Sequence, residues 1–502
     1  MYDPSLHLFV DDFHIRNAFL LNRTFFPLQQ DHRAVLTDTD GRYIGWGSAM
    51  FDQGKYRMWY QSVARSDDRA MQAAGVYGRG AEMGYFPDRY AGAIPATQLS
   101  MIGYAESSDG LEWRRPDLGI VEWNGSKKNN MVFDGSGPAK QFDRFVTNMD
   151  SVSVVRDDGE RDPAKRYKMI NHWETIHCWD DRAGIERPGE LKEKFWAHRA
   201  KYLTTSPDGI HFEPTITWIK AAEGGDYCGV TRDERNGRWW FADRPMVGLG
   251  AGYYRLAGLS VSGDLYHWPE HLEQVMFPGE FEDYGERYQH HGWTPFNYGD
   301  QDLAVLELSI GGRPVMGILC SHRDGERWKI LNHDVPVLSA GRKGENDDQI
   351  VAVTRNGPFA VGERLRFYYN GRGGNYTKLQ DRFGGIFIGE MRLDGFAGLT
   401  VDEVARERAK KTAVLLTRAL RVRNDSLEIN IAGHRGSARV ALLDDSMTAI
   451  PGFDVTDCLP IAEDATRASV KWKNRADLSA IEGHDVHVAV HLLAGTIYSV
   501  RL

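Results

Sequence analysis

The sequence predicts an all-β protein, a five-bladed β-propeller followed by a C-terminal β-sandwich, and two observations carry this prediction. First, a phrase made of an apolar strand, an Asp-Gly-type turn and an aromatic residue occurs four times within the first four hundred residues, with a looser fifth copy. Second, the phrase disappears beyond about residue 400, although apolar and polar residues continue to alternate with a period of two. We therefore expect a propeller domain over residues 1–396 and a sandwich domain over residues 397–502.

Each copy of the phrase has the composition of a β-hairpin. The Asp and Gly suit a turn that needs positive φ, and the aromatic residue that follows can fill the gap between neighbouring sheets. The copies are GYAESSDGLEW (103–113), YLTTSPDGIHF (202–212), GLSVSGDLYHW (258–268), GILCSHRDGERW (317–328) and the looser IFIGEMRLDGF (386–396). We interpret these turns as structural elements that indicate the fold and not the chemistry.

Each copy belongs to a longer unit. An aromatic-rich strand lies upstream of most copies, in GKYRMWYQS (54–62), KRYKMINHW (165–173), GRWWFADRP (237–245) and ERLRFYYNG (363–371). Before it, a further strand opens with the octets DSVSVVRD (150–157) and DYCGVTRD (226–233). Four such strands make one propeller blade, and five units lie at roughly 40–110, 145–215, 225–270, 293–335 and 347–396. Helical periodicity is scarce, and its main candidate is VDEVARERAKKTAVLL (401–416).

Composition and charge exclude several classes of partner. The 502 residues include 61 basic and 70 acidic ones, interspersed to a net charge of -9, without the basic stripe that nucleic-acid binding requires. No run approaches the roughly 18 apolar residues of a membrane span. The opening MYDPSLHLFVDD lacks the regions of a signal peptide. We expect a cytoplasmic protein without a nucleic-acid or membrane partner.

The cysteines predict no disulfide framework. Cys178, Cys228, Cys320 and Cys458 are scattered, with no CxxC and no histidine at ligand spacing. Free, buried thiols are expected. Neither a zinc site, another metal nor a cofactor is predicted.

The recurring octets indicate where chemistry would lie. The inner strands of a propeller run roughly along its axis, so the residues that open them face one another around one mouth. Asp150 and Asp226 occupy the same position of their octets, and Asp348 in NDDQIVAVTR lies within one position of it. Neighbouring carboxylates raise the pKa of at least one of them, which supplies the acid and the base that cleavage of a glycosidic bond requires. Alternatively, each Asp only caps a turn or pairs with an arginine of the neighbouring octet.

The first unit has no Asp at that position. Its inner strand, YIGWGSAMFD, carries Gly45 there. The candidates are Asp38 and Asp40 just upstream, and Asp11 and Asp12 in an N-terminal strand that either begins the first blade or closes the ring against the last one. Asp12 is the favoured residue.

Aromatic, histidine and further acidic side chains are expected to bind substrate around the same mouth. An aromatic plane stacks on the C–H face of a sugar ring, while polar groups bond its hydroxyls. The predicted binding residues are Trp46, Glu174, Glu286, His290, His291, Trp293 and Asp348. A His-His pair is equally typical of a loop anchor, and the segment around Glu174 is equally typical of the end of a core strand.

The five Asp-Gly units, Asp150 at the start of the second unit and the trailing sandwich together resemble the five-bladed propeller glycoside hydrolases. These comprise the invertase and levanase group and the arabinanase and xylosidase group. In the invertase group an Asp of blade one is the nucleophile, an Asp of blade two stabilises the transition state and a Glu of blade three is the acid. The resemblance implies Asp12 or Asp40 for the first role, Asp150 for the second, and Asp226 or Glu223 for the third.

Two signatures of the invertase group are missing. Neither its Trp-x-Asn-Asp-Pro-Asn-Gly string nor its Glu-Cys motif occurs, and the RDP triplet at 161–163 is interpreted as a surface turn because it follows the inner strand. The resemblance therefore implies a divergent member. We expect a glycosidase that hydrolyses or transfers a glycosyl unit of an oligosaccharide or glycoside, with a fructosyl or arabinosyl furanoside as the first candidate.

Two other functions fit the same architecture. A phosphorylase of the mannoside type would hold phosphate with a cluster of basic side chains, for which His290, His291 and Arg372 are available. A non-catalytic carbohydrate-binding propeller would use the aligned Asp residues only as hydroxyl acceptors. An insertion at 66–98 is too long for a hairpin and is expected either to cover the pocket or to join the subunits of a homo-oligomer.

Overall fold

A computed structural model describes most of the chain. The described residues are 1–38, 42–64, 100–141, 146–175, 200–221, 225–249, 252–269, 272, 274–276, 288–310, 314–323, 327–332, 334–374, 382–433, 438–473, 475 and 477–502. Within these ranges, no helix combines the length and the apolar character that crossing a bilayer requires.

Strands form most of the regular structure in the described ranges. The N-terminal segment contains β1 (Leu6–Leu8), β2 (Ile15–Phe19), β3 (Leu21–Phe25) and β4 (Gln29–Thr37). The first sheet has β5 (Arg42–Asp52), β6 (Lys55–Ala64), β7 (Ser100–Ser107) and β8 (Met131–Phe133). The second has β9 (Val146–Arg156), β10 (Tyr167–Thr175), β11 (Ala200–Ser206) and β12 (Thr217–Ala221). Between the first two sheets lies the short helix α1 (Ser136–Gln141), and a 3-10 turn (Pro163–Lys165) joins β9 to β10.

The next three sheets follow in the same manner. The third has β13 (Cys228–Asp233) and β14 (Arg238–Asp243), then a separate hairpin of β15 (Met246–Leu249) and β16 (Gly252–Arg255), then β17 (Ala257–Ser262) and β18 (Gln274–Met276). The fourth has β19 (Tyr288–Tyr298), β20 (Gln301–Ile310), β21 (Met316–His322) and β22 (Lys329–Ile330). The fifth has β23 (Ile350–Val353), β24 (Phe359–Val361), β25 (Arg364–Gly374) and β26 (Arg382–Arg392).

The fifth sheet takes its outermost strand from the start of the chain. Its order is β23-β25-β26-β4, and β4 pairs antiparallel with β26, with Leu36 opposite Ile386. The other four sheets are antiparallel meanders of consecutive strands, interrupted only by the β15–β16 hairpin. The strand that completes the last sheet is therefore β4, and not the segment that contains Asp11 and Asp12.

Small hydroxyl side chains hold the innermost strands side by side. Ser48 of β5 accepts a backbone N–H of β9 at 3.0 Å, and Ser153 of β9 donates to a carbonyl of β13 at 3.1 Å. Thr231 of β13 donates to a carbonyl of β19 at 3.1 Å, and β19 contacts β23. A parallel bridge between Ser48 and Arg355, two residues after β23, returns to the first sheet. The innermost strands thus form a closed circuit.

Two of the Asp-Gly turns attach their sheet to the one before it. Trp59 Nε1 of the first sheet donates to Gly209 O in the turn of the second at 2.7 Å. In the same relation, the Tyr368 hydroxyl of the fifth sheet donates to Gly110 O in the turn of the first at 2.8 Å. In both cases the arginine two positions before the aromatic residue donates to the carbonyl of the turn Asp. The repeated phrase therefore serves packing, as predicted.

The apolar core of the circuit lies between neighbouring sheets. One cluster joins the second and third sheets and includes Ile170, Phe241 and Trp268. Another joins the third and fourth sheets and includes Trp240 and Trp328. Trp268 and Trp328 are the aromatic residues that follow the turns, so they fill the gaps between sheets as the sequence indicated.

Two further sheets enclose a separate core. Their C-terminal strands are β27 (Ala397–Val401), β28 (Ala413–Arg421), β29 (Glu428–Ala432), β30 (Arg439–Leu443), β31 (Ala465–Ser469), β32 (Asp485–Leu492) and β33 (Thr496–Arg501). One sheet has the order β3-β27-β33-β29-β31 with β1 on β33, and the other has the order β2-β28-β32-β30. Residues 6–25 thus pair with residues after 397, whereas the sequence prediction assigned all of 1–396 to the first domain.

The predicted helix over 401–416 is only partly helical. The helix α2 spans Glu403–Ala409, is capped by the Asp402 side chain and ends at Lys410, which has a φ of 51°. The apolar residues that follow belong to β28, where buried and less buried positions alternate. A second 3-10 turn covers Ser479–Ile481.

Candidate functional site

The starts of the innermost strands lie together at one end of the circuit. Ser151 Oγ of β9 donates to Cys228 O of β13 at 3.0 Å. Asp150 directly precedes Ser151, and Asp226 lies two residues before Cys228. Both carboxylates are therefore at the same end of adjacent strands. We call this end, formed by the starts of β5, β9, β13, β19 and β23, the mouth.

Three inner strands are irregular where they reach the mouth. Bulges occupy Gly45–Trp46 in β5, Ser151–Val152 in β9 and His291 in β19. Ser151 has a positive φ of 57°. A bulge bends its strand and redirects the adjacent side chains, so the residues at these points leave the regular alternation.

Arg244 links the third and fourth sheets at the mouth. Arg244, which follows β14, pairs with the Asp226 carboxylate and donates through Nη1 to His291 O at 3.0 Å. The Asp226 side chain keeps 36% of its surface exposed, whereas that of Arg244 keeps 9%. The negative charge of Asp226 is thus balanced within the protein and remains accessible.

Two further arginines from the fifth sheet stack on aromatic rings beneath the mouth. The Arg355 guanidinium lies 4.3 Å from the ring centre of Tyr227 and 5.2 Å from that of Trp46. That of Arg372 lies 4.7 Å from the Trp46 ring. Cations over the electron-rich faces of Trp and Tyr are favourable, especially when desolvated. These two guanidinium groups form a positive centre beneath the strand starts.

Glu307 is the buried carboxyl within this positive centre. It lies on β20 opposite Gly292, it is 1% exposed, and neither of its oxygens forms a hydrogen bond with a described residue. Burial raises the pKa of Glu307 to about 7, although Arg355, Arg244 and Arg372 act in the opposite direction. Near neutral pH this carboxyl exchanges a proton, which suits a general acid or base.

The two histidines of β19 are neutral near pH 7. Burial lowers the pKa of His290 to about 4, and neither of its ring nitrogens forms a hydrogen bond with a described residue. The pKa of His291 also lies well below its ordinary value, first because of burial and then because Arg244, Arg255 and Arg372 are near. These imidazoles can bond a ligand but do not add positive charge.

Two other predicted carboxylates also lie at the mouth. Asp150 Oδ1 accepts the Ser151 N–H at 2.8 Å, and the carboxylate is partly exposed and forms no ion pair with a described residue. Asp348 is buried, and its Oδ2 accepts the Gly344 N–H at 2.7 Å. Asp150 is thus the carboxylate at this end that is both accessible and without an ion-pair partner in the described chain.

The structure does not bring Asp12 to the mouth. Its side chain is 80% exposed and pairs with Arg23. The neighbouring Asp11 lies 3.4 Å from Arg323, which follows β21 at the opposite end of the fourth sheet from the start of β19. Asp12 is displaced because its segment leads into β2 and β3, the strands that join the C-terminal sheets.

Trp293 is not placed to stack on a sugar, contrary to expectation. It is 1% exposed, its indole N–H donates to Gly258 O at 3.0 Å, and it packs 5.0 Å from the Trp328 ring. It belongs to the core between the third and fourth sheets. Trp46 does lie at the mouth, but its ring is buried and covered by Arg372.

Several predicted residues cannot be placed. Glu174 belongs to β10, but its side chain is outside the described part of the structure. The other predictions that lie outside the described residues are Asp40, Glu223, Glu286, Cys178 and the insertion at 66–98. Among the described cysteines, Cys228, Cys320 and Cys458 are free and buried as predicted.

Sequence reasoning missed Glu307, Arg244 and Arg355. Only Glu307 leaves a recognisable signal, because it is a lone charged residue within the apolar run LAVLELSI. A charged residue in a strand that is buried along its length is costly and points to a specific role. The two arginines lie in ordinary loop and strand-end contexts, and only the folded circuit brings them together.

A cavity that is open to solvent lies elsewhere. Its volume is about 750 Å³, and it lies between the outer parts of the first two sheets, where Phe133, Lys140 and Phe212 contribute to its lining. None of the predicted site residues contributes to its walls. The cavity is therefore separate from the mouth.

Comparison with known proteins gives structural likeness only. No family model and no curated protein sequence matches the chain. Among solved structures, it is similar to a glycoside hydrolase at 12% identity, covering 73% of this chain and 92% of that one with a TM-score of 0.45. It is also similar to the β-1,2-mannobiose phosphorylase from Listeria innocua, at 12% identity, 78% and 100% coverage and a TM-score of 0.45. The GH32 β-fructofuranosidase BmSUC1 of Bombyx mori follows at 11% identity, 94% coverage of both chains and a TM-score of 0.39. All three likenesses combine an identity of 11 or 12% with a TM-score below 0.5.

Proposed function

We propose that the chain is a glycosidase whose active site is the mouth. Asp150 acts as base or nucleophile, Glu307 holds the proton for the leaving oxygen, and Asp226 with Arg244 positions the sugar and balances the developing charge. Cleavage of a glycosidic bond needs one protonated and one ionised carboxyl group on either side of the bond. Glu307, with a pKa near 7, and the accessible Asp150 carboxylate can supply these two forms.

One observation carries this proposal. Glu307, whose pKa is raised to about 7, lies near Arg244, the ion-pair partner of Asp226. Asp226 just precedes β13, which adjoins the strand β9 that carries Asp150. A purely structural carboxyl in this position would be expected to form a hydrogen bond or a close ion pair. Within the described residues, neither Glu307 oxygen meets the geometry of a hydrogen bond and no arginine forms an ion pair with it. The Tyr227 hydroxyl and three arginines are near enough to favour its ionised form, but burial outweighs them, so the carboxyl keeps a proton to exchange near pH 7.

The architecture proposed for this enzyme is a five-bladed β-propeller followed by a β-sandwich. Its support is the closed circuit of innermost strands and the matching attachment of two Asp-Gly turns to the preceding sheet. In such a ring the mouth is the end at which side chains of different blades meet a ligand. The furanosidic substrate, fructosyl or arabinosyl, rests on the sequence resemblance alone.

The test is a panel of nitrophenyl furanosides and pyranosides assayed with the wild-type chain and with the Asp150→Asn and Glu307→Gln variants. We expect turnover of at least one furanoside and its loss in both variants. A chain that binds sugars but turns over none of the panel would favour the non-catalytic alternative. Retained activity in both variants would exclude the mouth as the active site.

A phosphorylase is the second candidate, because Arg244, Arg255 and Arg372 all lie near His291 beside Glu307. Three guanidinium groups at one place suit a bound phosphate, which they can grip through paired hydrogen bonds. The assay is turnover with and without inorganic phosphate. A rate that rises with phosphate and yields a glycosyl phosphate would establish this alternative, and phosphate-independent release of free sugar would exclude it.

A further inference from the structure

A group of acidic side chains lies just before β23, in the loop that leads into the fifth sheet. Glu345, Asp347 and Asp348 occur within four residues, and Asp347 and Asp348 are buried. Within the described part of the chain, no lysine or arginine forms an ion pair with any of the three. Ionised carboxylates in a buried position are costly unless they are paired or coordinate a metal.

Asp347 has one oxygen without a partner. It is 0% exposed; its Oδ2 accepts the Tyr369 hydroxyl at 2.9 Å and lies 2.9 Å from His32 Nδ1. Its Oδ1 has no hydrogen-bond partner in the described structure. A fully buried carboxylate oxygen without a donor requires an explanation, and a bound cation is one of those that fit.

The unpartnered oxygen faces Glu345 across Gly341. A side-chain carbon on Gly341 would lie 2.2 Å from Asp347 Oδ1 and 2.8 Å from Glu345 Oε2, so both oxygens border the same small space. Ligand atoms of His32, Glu345 and Asp347 lie within 4.8 Å of one another. Glycine at 341 keeps this space free of a side chain.

His32 is brought to this place by an irregularity in β4. It has a φ of 56°, and the register of β4 against β26 shifts between Gln30 and Ala34. Few residues other than glycine adopt positive φ without strain, and histidine is one of the more tolerant. The bulge turns the imidazole towards Asp347 and away from the regular strand pattern.

We propose that His32, Glu345 and Asp347 bind a divalent first-row transition-metal ion, of which Zn²⁺ and Mn²⁺ are the appropriate probes. An imidazole nitrogen with carboxylate oxygens is a ligand set that suits these ions. The ion neutralises the buried acidic charge and fastens the loop before β23 to β4. That loop is already tied to β4 by the reciprocal hydrogen bonds of Gln30 with Ser339, at 2.9 and 3.0 Å. The site therefore holds Asp348 and the start of β23 in place at the mouth.

A second cluster provides a matched control. His7, His14 and Asp300 also place ligand atoms within 4.8 Å of one another. There, however, Arg323 lies 3.6 Å from Asp300 Oδ1, so the carboxylate already has a cationic neighbour. The electrostatic argument thus favours the site at His32.

The experiment combines metal analysis with thermal melting. The purified chain is examined by elemental and native mass spectrometry, and its melting temperature is measured after EDTA treatment, with and without added Zn²⁺ or Mn²⁺. We expect one ion per chain and a rise of about 3 °C or more with at least one of the ions, because a ligand that binds the native state stabilises it. The Glu345→Gln and His32→Gln variants should lose this rise, and Asp300→Asn should keep it.

The outcomes distinguish three cases: an ion at the His32 cluster, an ion at the His7 cluster, and no bound ion. Glu345 and His32 are partly exposed, so their variants keep the buried core, and their metal-free melting temperatures report whether they fold. No shift with either ion, or an unchanged shift in both Glu345→Gln and His32→Gln, would overturn the proposal. A shift lost only in Asp300→Asn would place the ion at the other cluster and would overturn it equally.

Discussion

The five sheets carry carboxylates at both ends, and the two groups are held in opposite ways. At the turn end, Asp208 accepts the backbone N–H groups of Ile210 and His211 at 2.8 Å each, and Asp109 accepts those of two residues in its own turn. Hydrogen bonds from Glu112 and Leu111 hold the pKa of Asp109 at about 2. These carboxylates stay ionised at any physiological pH and define the turns.

At the mouth, Glu307 lacks such donors. Burial raises its pKa to about 7 even though three arginines favour the ionised form. The same chemical group thus binds its proton weakly where backbone N–H groups surround it, and strongly where the protein removes water without supplying donors. The turn carboxylates thus stabilise the fold, whereas Glu307 is suited to exchanging a proton.

The largest effect should come from removing the mouth carboxylates. We expect Asp150→Asn and Glu307→Gln each to lower the rate of glycoside cleavage by about 10²- to 10⁴-fold, the usual contribution of a general acid or base. The wild-type rate should fall as pH rises above about 7, because the acid must be protonated. Initial rates over a range of pH test both points. The same change at the turn end, Asp109→Asn, is the control and should leave the rate unchanged.

The next effect concerns stability. The pKa of the Glu307 carboxyl is about 7 in the folded chain, above its ordinary value of 4.5. Between these two pH values the carboxyl loses its proton more readily in the unfolded chain, so raising the pH favours unfolding. The wild-type chain should therefore lose stability as pH rises from 5 towards 8, and Glu307→Gln should lose about 2 to 3 kcal/mol less over that interval. Urea unfolding at several pH values measures the difference. An identical pH dependence in the two chains would contradict the raised pKa.

A smaller effect is expected at a turn. Asp208→Ala removes the acceptor of two backbone N–H groups and should lower the free energy of unfolding by about 1 to 2 kcal/mol, as the loss of a capping residue does. The rate of the folded enzyme should not change. Urea unfolding and an activity assay on the same sample test this. A large loss of activity without a loss of stability would mean that the turn end takes part in the chemistry.

The smallest effect is expected at Asp12. Its exposed ion pair with Arg23 should contribute no more than about 0.5 kcal/mol, and Asp12→Asn should leave the rate unchanged. The resemblance to the invertase group made this residue a candidate nucleophile, so the variant is a direct test of its placement. A rate reduced to the level of Asp150→Asn would require Asp12 to reach the mouth.

Local sequence patterns predicted the repeated strands well. The quoted Asp-Gly phrases coincide with β7, β11, β17, β21 and β26, because a hairpin turn and the strand before it depend on residues that are adjacent in the chain. The pairing of β4 with β26 was not predictable in this way, because it joins segments about 350 residues apart and only the closure of the sheet selects the partner. The helix predicted over 401–416 was too long for a related reason. After Lys410, packing of β28 in the C-terminal sheets outweighs the helical pattern of the sequence.

The site was predictable only where it repeats. Asp150 and Asp226 lie on adjacent strands at one end because the octets fix the register of their strands, although their catalytic role stays a prediction. Glu307 belongs to no repeat, and its proton affinity depends on burial and on arginines from other sheets. Such properties follow from three-dimensional surroundings and leave little trace in the sequence.

The closure of the fifth sheet by β4 also affects how the chain is made. This strand leaves the ribosome early, yet its partner β26 is completed only at Arg392. Throughout the intervening synthesis β4 has an unpaired edge, and such edges are prone to unwanted association. A nascent chain that stops before Arg392 cannot complete its fifth sheet, so protection of this edge by a chaperone would have its greatest effect during translation.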